Sequence, residues 1–136
     1  MPTATQLVID LENKPGVLAR VASVLGSAGV NIKAFSAPEV AQSGALRVMV
    51  SDLERARQSL NAEKISFREE TALVLSLENK PGALGRVVEH LKESRINITC
   101  GYCTPSREGK RAIVVLSVSD VQQALDTLRG QSLDEF

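Results

Sequence analysis

Glu12-Asn13-Lys14-Pro15-Gly16 recurs as Glu78-Asn79-Lys80-Pro81-Gly82, a shift of 66 positions. The likeness runs well past the pentapeptide, because LVIDLENKPGVLARVASVLGSAGVNI from Leu7 lies over LVLSLENKPGALGRVVEHLKESRINI from Leu73 with about half the columns identical. Further on, Leu46 to Asp52 (LRVMVSD) matches Val114 to Asp120 (VVLSVSD) at a shift of 68, so the second copy carries two extra residues between Thr104 and Arg111. The chain is one unit written twice, residues 1–70 and 71–136.

The hydrophobic period gives each copy its elements. Leu7, Ile9 and Leu11 alternate along Thr5 to Glu12, as Leu73, Leu75 and Leu77 do in the second copy, and read as a strand. Pro15 and Pro81 fit the first turn of a helix, where a missing N–H is harmless. Helical spacing follows in Val17, Leu18, Val21, Val24, Leu25 and Ala28, and in Ala83, Leu84, Val87 and Leu91. Gly29 suits a left-handed helix exit, and Arg95 in its place predicts a different geometry in the second copy. Val30 to Ala37 and Gly44 to Ser51 read as two more strands. Ser51-Asp52 and Ser119-Asp120 cap second helices, and Ile65 and Phe67 mark a fourth strand, whose second-copy counterpart is confined to Leu133 to Phe136. The fold class is α+β: two ferredoxin-like βαββαβ units, antiparallel sheets with helices on one face. Val8, Val74, Met49, Ile113 and Val115 fall on the other face, which is expected to be covered by a second chain in a homodimer, the two copies pairing edge to edge.

With 136 residues there is no room for a large catalytic fold. Sixteen basic residues balance sixteen acidic ones, so no net field draws the chain to phosphate backbones or anionic lipid. At 3% aromatic residues and no Trp, stacking platforms for single-stranded nucleic acid are nearly absent. No apolar run approaches the ~18 residues that span a bilayer, and the first residues do not read as a secretory signal. The expectation is a cytoplasmic protein that engages neither nucleic acid nor membrane.

The Asn-Lys-Pro-Gly segment lies between a strand and a helix, so its backbone N–H groups sit at a helix N-terminus, a ready site for a carboxylate. Asn13 and Asn79 add an amide at that mouth, and Asn31 and Asn97, opening the next strand, are expected to lie nearby. A ligand bearing a carboxylate and an ammonium needs such a mixture of donors and acceptors, and a free amino acid is one. Asn before a Pro-led helix also serves as a turn or cap residue, and from spacing both readings stand.

The combination of Asn-Xaa-Pro-Gly, a Leu- and Val-rich helix and a hydrophobic-Asn-Ile strand start resembles the ACT domain, a small regulatory module that binds amino acids. The resemblance covers nearly the whole chain, twice, and extends to stand-alone tandem ACT proteins. It implies an effector held by the strand-to-helix loop of one domain and the second-strand start of its partner. Carried over, the candidate ligand-binding residues are Asn13, Pro15, Gly16, Val17 and Asn31 in the first copy, and Asn79, Pro81, Gly82, Ala83 and Asn97 in the second. Serine-binding members place a His two positions before the loop Asn, where this chain has Leu11 and Leu77. An alternative implied role is a regulatory subunit docking on a biosynthetic enzyme such as acetohydroxyacid synthase.

No catalytic residues, cofactor or metal site are expected. Cys100 and Cys103 are spaced like a redox or zinc pair. On a strand, residues three apart face opposite sides about 10 Å from each other, beyond the ~7 Å reach of a disulfide. His90 stands alone, so no His dyad can form within one chain.

Overall fold

The computed structural model of the chain describes residues 3–11, 16–37, 44–106 and 108–129, with the backbone alone for Leu11. Six strands and four helices occur among the described residues, in the order β1 (Thr3–Leu11), α1 (Val17–Ser27), β2 (Ile32–Ser36), β3 (Gly44–Val50), α2 (Leu53–Ala62), β4 (Arg68–Glu78), α3 (Ala83–Glu93), β5 (Ile98–Pro105), β6 (Arg111–Val118) and α4 (Val121–Arg129). Residues 5–70 form one compact unit. Those from Thr71 onward, with Thr3 and Ala4, form the other. No linker separates them, since the boundary falls inside β4.

In the first unit β3 pairs antiparallel with β1 (Leu7 opposite Val48, Ile9 opposite Leu46) and with β2. In the second, β6 pairs antiparallel with β4 (Leu73 opposite Leu116, Leu75 opposite Val114) and with β5. The alternating leucines of each first strand meet the helices on one side. Leu7, Ile9, Leu46 and Val48 pack with Val21, Leu25, Ala56 and Leu60. Leu73, Leu75, Leu77, Val114 and Leu116 pack with Val87, Leu91, Ala124 and Leu128. Each buried Leu or Val contributes about 1.5–3 kcal/mol by leaving water, which is how units this small hold together.

Leu18 and Leu84, at matching helix positions, do not join these cores and stay 37% and 45% exposed. On the other sheet face, Val8 and Val115 are buried within the chain itself, at 2% exposure, so a second chain is not needed to cover them. Val74, Met49 and Ile113 are half-buried. Near Val8 the first unit carries a polar cluster: fully buried Gln6 donates through Nε2 to Glu70 Oε1 at 2.7 Å, and Arg47 Nε reaches the same oxygen at 3.3 Å. Ala72 and Val115 occupy the matching places in the second copy, so that cluster is not repeated.

Several boundaries depart from the sequence reading. Helix α3 starts at Ala83 with Gly82 as its N-cap at φ 88°, a left-handed conformation, so Pro81 lies in the turn before the helix and not in its first turn. Gly16 caps α1 in the same way at φ 96°; Pro15 lies outside the described residues. Ile65 and Phe67 precede the fourth strand. The Ile65 N–H closes α2 by donating to the Leu60 carbonyl, and Lys64 turns the chain at φ 57°, so extended structure begins only at Arg68. Leu133 to Phe136 lie outside the described residues.

The two first-helix exits are alike despite the Gly29-to-Arg95 difference. Arg95 adopts φ 59° where Gly29 has φ 75°, and Ile96 N–H donates to Leu91 O as Val30 N–H does to Leu25 O. The cap bonds and the burial of Ile96 override the side-chain clash, which costs about 1–2 kcal/mol in this region. Arg95→Gly is expected to raise stability by about 0.5–1 kcal/mol in urea unfolding, the relief of strain being partly offset by the greater freedom of glycine in the unfolded chain.

Candidate functional site

The loop of the second copy is described throughout. β4 ends with Glu78 opposite Arg111, and the chain then turns through Asn79, Lys80 and Pro81 into Gly82. Asn79 is fixed twice to the tip of the β5–β6 hairpin: its backbone N–H donates to Lys110 O at 3.0 Å and its Nδ2 donates to Gly109 O at 2.9 Å. Lys80 closes the turn, donating its N–H to Glu78 O and setting its Nζ 2.5 Å from Glu78 Oε2. The hydrogen bond and charge of Lys80 hold the Glu78 carboxyl below the usual carboxylate range. The small stabilisation this gives is present above the unfolded carboxylate pKa and fades as pH falls through the depressed folded value.

Gly82 must be glycine here because of its positive φ, not for lack of space. As at any helix start, the first amides have no partner within the helix itself. Ala83 N–H is engaged by Lys80 O at 3.3 Å and Arg86 N–H by Gly82 O, whereas the N–H groups of Gly82, Leu84 and Gly85 bond to nothing among the described residues. These amides lie at the positive end of the α3 dipole, a position whose chemistry favours a negatively charged group. Ala83, a candidate from the sequence, has its N–H engaged, and the spare amides are those of Gly82, Leu84 and Gly85, a distinction set by the turn's hydrogen bonds and carried by no local sequence signal. Beside the loop, Gly82, Gly85, Arg86, Glu89 and His90 line a shallow cleft of ≈430 Å³. In the first copy Gly16 and Val17 open α1 equivalently, with Arg20 N–H on Gly16 O. Asn13 lies outside the described residues.

Asn31 and Asn97 are held by a repeated device. Asn97 N–H donates to Ser119 Oγ at 3.0 Å and Ser119 N–H donates back to Asn97 O at 2.9 Å; Asn31 and Ser51 do the same, both at 2.9 Å. Ser51 and Ser119 therefore brace these asparagines, while Asp52 and Asp120 alone cap the helices, accepting from Arg55 N–H and Gln123 N–H. The side-chain amides of Asn31 and Asn97 are exposed and bond to nothing among the described residues.

The fold does not bring Asn79 and Asn97 together within a unit. Asn79 sits at the Arg111 end of β6 and Asn97 at its Val118 end, so the length of that strand separates them, roughly 25 Å at ~3.3 Å per residue. The expectation that they lie nearby fails because β4 and β5 run parallel on either side of β6, so a loop leaving one and a residue entering the other lie at opposite ends. Asn31 likewise lies at the Val50 end of β3, whereas Leu11, the last strand residue before Asn13, pairs with Gly44 at the other.

Cys100 pairs with Ser117 and Cys103 with Val114, placing the two thiols on opposite faces of the sheet, and neither is in a disulfide. His90 is half-buried, its Nδ1 3.8 Å from Glu93 Oε2. No group of His, Cys, Asp and Glu able to hold a metal ion occurs among the described residues, and no helix there is long and apolar enough to cross a membrane.

No curated protein matches the chain. Among solved structures, protein BT0572 from Bacteroides thetaiotaomicron is 31% identical, with a TM-score of 0.87 over 98% of this chain and 91% of its own. The regulatory subunits of aspartate kinase from Thermus thermophilus (15% identity, TM-score 0.61, 96% and 97% of the two chains) and Thermus flavus (16%, 0.56, 96% and 96%) share the fold. The model of the family described as an ACT domain pair matches residues 2–134, both copies of the strand, loop and capped helix included. With that match over nearly its whole length, the chain belongs to the ACT domain pair family.

Proposed function

We propose that this protein is a non-catalytic regulatory module that binds a free amino acid between the strand-to-helix loop of one protomer and the second-strand start of its partner in a homodimer. The observation that carries the reading is the placement of complementary groups at opposite ends of each unit. Spare N–H groups of Gly82, Leu84 and Gly85 suit a carboxylate at the loop end, and the unengaged amide of Asn97 supplies an acceptor for an ammonium at the other. A single protomer's unit cannot close both on one small molecule. Two protomers can, and the ligand then favours the paired state by its differential affinity for it and no more. In the first copy the same roles fall to Asn13, Pro15, Gly16, Val17 and Asn31, and the exposed Leu18 and Leu84 supply apolar surface for association.

Isothermal titration with each proteinogenic amino acid at millimolar concentration is expected to give heat with at least one. The binder is expected to raise the dimer fraction in sedimentation velocity. Asn97→Ala should weaken second-copy binding about ten- to a hundredfold, since a hydrogen bond to a charged group is worth about 1.5–3 kcal/mol. No heat with any amino acid overturns the reading.

A further inference from the structure

We propose that the β5–β6 hairpin tip is the positioning element of the second-copy site, so that effector occupancy is coupled to the rigidity of that hairpin. The inference rests on the amino-acid-binding reading above. Its basis is the double tie of Asn79 to the tip: N–H to Lys110 O and Nδ2 to Gly109 O. One amide hydrogen and the plane of the side chain are thereby committed, and Oδ1 with the remaining hydrogen are left to face a ligand.

The tip is itself built to present those carbonyls. Gly109, at φ 74°, donates its N–H to Ser106 O; Ser106 N–H donates to Arg111 O, and Ser106 Oγ accepts from Arg111 N–H. Arg111 in turn anchors the base of the hairpin to β4, through Nε to Ser76 Oγ at 3.1 Å and Nη2 to Ser76 O at 2.6 Å. The two extra residues of the second copy lie in this hairpin, so the device belongs to the second site by length as well as by contacts.

An ammonium donating to Asn79 Oδ1 polarises the side-chain amide and strengthens its Nδ2 bond to Gly109 O, as linked hydrogen bonds reinforce one another. Coupling of this kind is reciprocal: a tip that orders Asn79 raises ligand affinity, and a ligand that holds Asn79 orders the tip.

Tryptic cleavage after the exposed Lys110, which requires the tip to open, followed by mass spectrometry, reads the tip directly. The amino acid that gives heat with the intact protein is expected to slow that cleavage several-fold. Asn79→Ala should cleave faster without ligand and show no protection with it. Gly109→Val places its Cβ where nothing lies within 4 Å, but strains the positive φ. It is expected to lower affinity several-fold while the far-UV circular dichroism is unchanged; Gly109→Ala, a milder strain at the same φ, repeats the comparison if the valine variant is unfolded at the assay temperature. Heat accompanied by unaltered cleavage, or full affinity in a folded Gly109 variant, overturns the inference alone. No heat from any amino acid overturns the binding reading and this coupling with it.

Discussion

Leu91→Ala is expected to remove about 3–4 kcal/mol from the stability of the protein, enough to leave a large fraction unfolded at moderate urea. Leu91 has no solvent exposure and lies in the cluster formed by Leu73, Leu75, Leu116, Leu125 and Leu128. Truncation deletes apolar contacts and leaves a void whose walls are two strands and two helices, which cannot collapse inward without breaking the β4–β6 ladder. Leu25, fully buried at the matching position of the first unit, is expected to behave alike. Leu18→Ala, at an exposed site on α1, should fall within about 0.5 kcal/mol of the parent. Equilibrium urea denaturation of the three variants checks the set. A loss below about 1 kcal/mol at both buried leucines would show that the cores tolerate voids far better than close-packed interiors do.

Those leucines were legible in the sequence because burial in a small α+β unit follows periodicity: period two in Leu73, Leu75 and Leu77, helical period in Val87 and Leu91. Backbone conformation was less legible. Gly29 announced a left-handed exit, yet Arg95 makes the same exit, because cap hydrogen bonds and burial of the next residue decide the conformation and a side chain only sets its cost. Pro81 looked like a first-turn residue until Gly82 took the N-cap position. The Val-Ser-Asp repeat was visible, but its division of labour, Ser for Asn and Asp for the helix, depends on strand ends meeting across the sheet, which no local pattern encodes.

The same limit applied to the site and changed its meaning. Read along the chain, Asn79 and Asn97 fall in one short strand–helix–strand stretch, which suggests a single pocket per copy. Strand direction separates them by the length of β6. Under the proposed function they become a pair of half-sites, and half-sites at opposite ends of one unit suit a two-fold dimer, since each protomer then offers its loop to one ligand and its strand start to the other.

That arrangement makes complementation the sharpest test of the proposed function. In a chain whose first-copy site is weakened by Asn31→Ala, Asn79→Ala and Asn97→Ala should each lower the remaining second-copy affinity about ten- to a hundredfold, because every such site in either homodimer contains one damaged half. Mixing the two variants and letting protomers exchange should restore it. A mixed dimer combines the intact loop of one protomer with the intact Asn97 of the other at one interface and both lesions at the other. With random exchange about half the dimers are mixed and about a quarter of the original sites return, at the affinity of the Asn31→Ala parent. Titration before and after exchange, with mixed dimers counted by native mass spectrometry, reads the outcome. Mixed dimers that form without regaining sites would mean that loop and strand start do not serve one ligand. Parental affinity retained by both variants would mean that neither asparagine contacts it. Recovery near a quarter has no explanation in a site confined to one protomer, because neither variant protomer holds both asparagines.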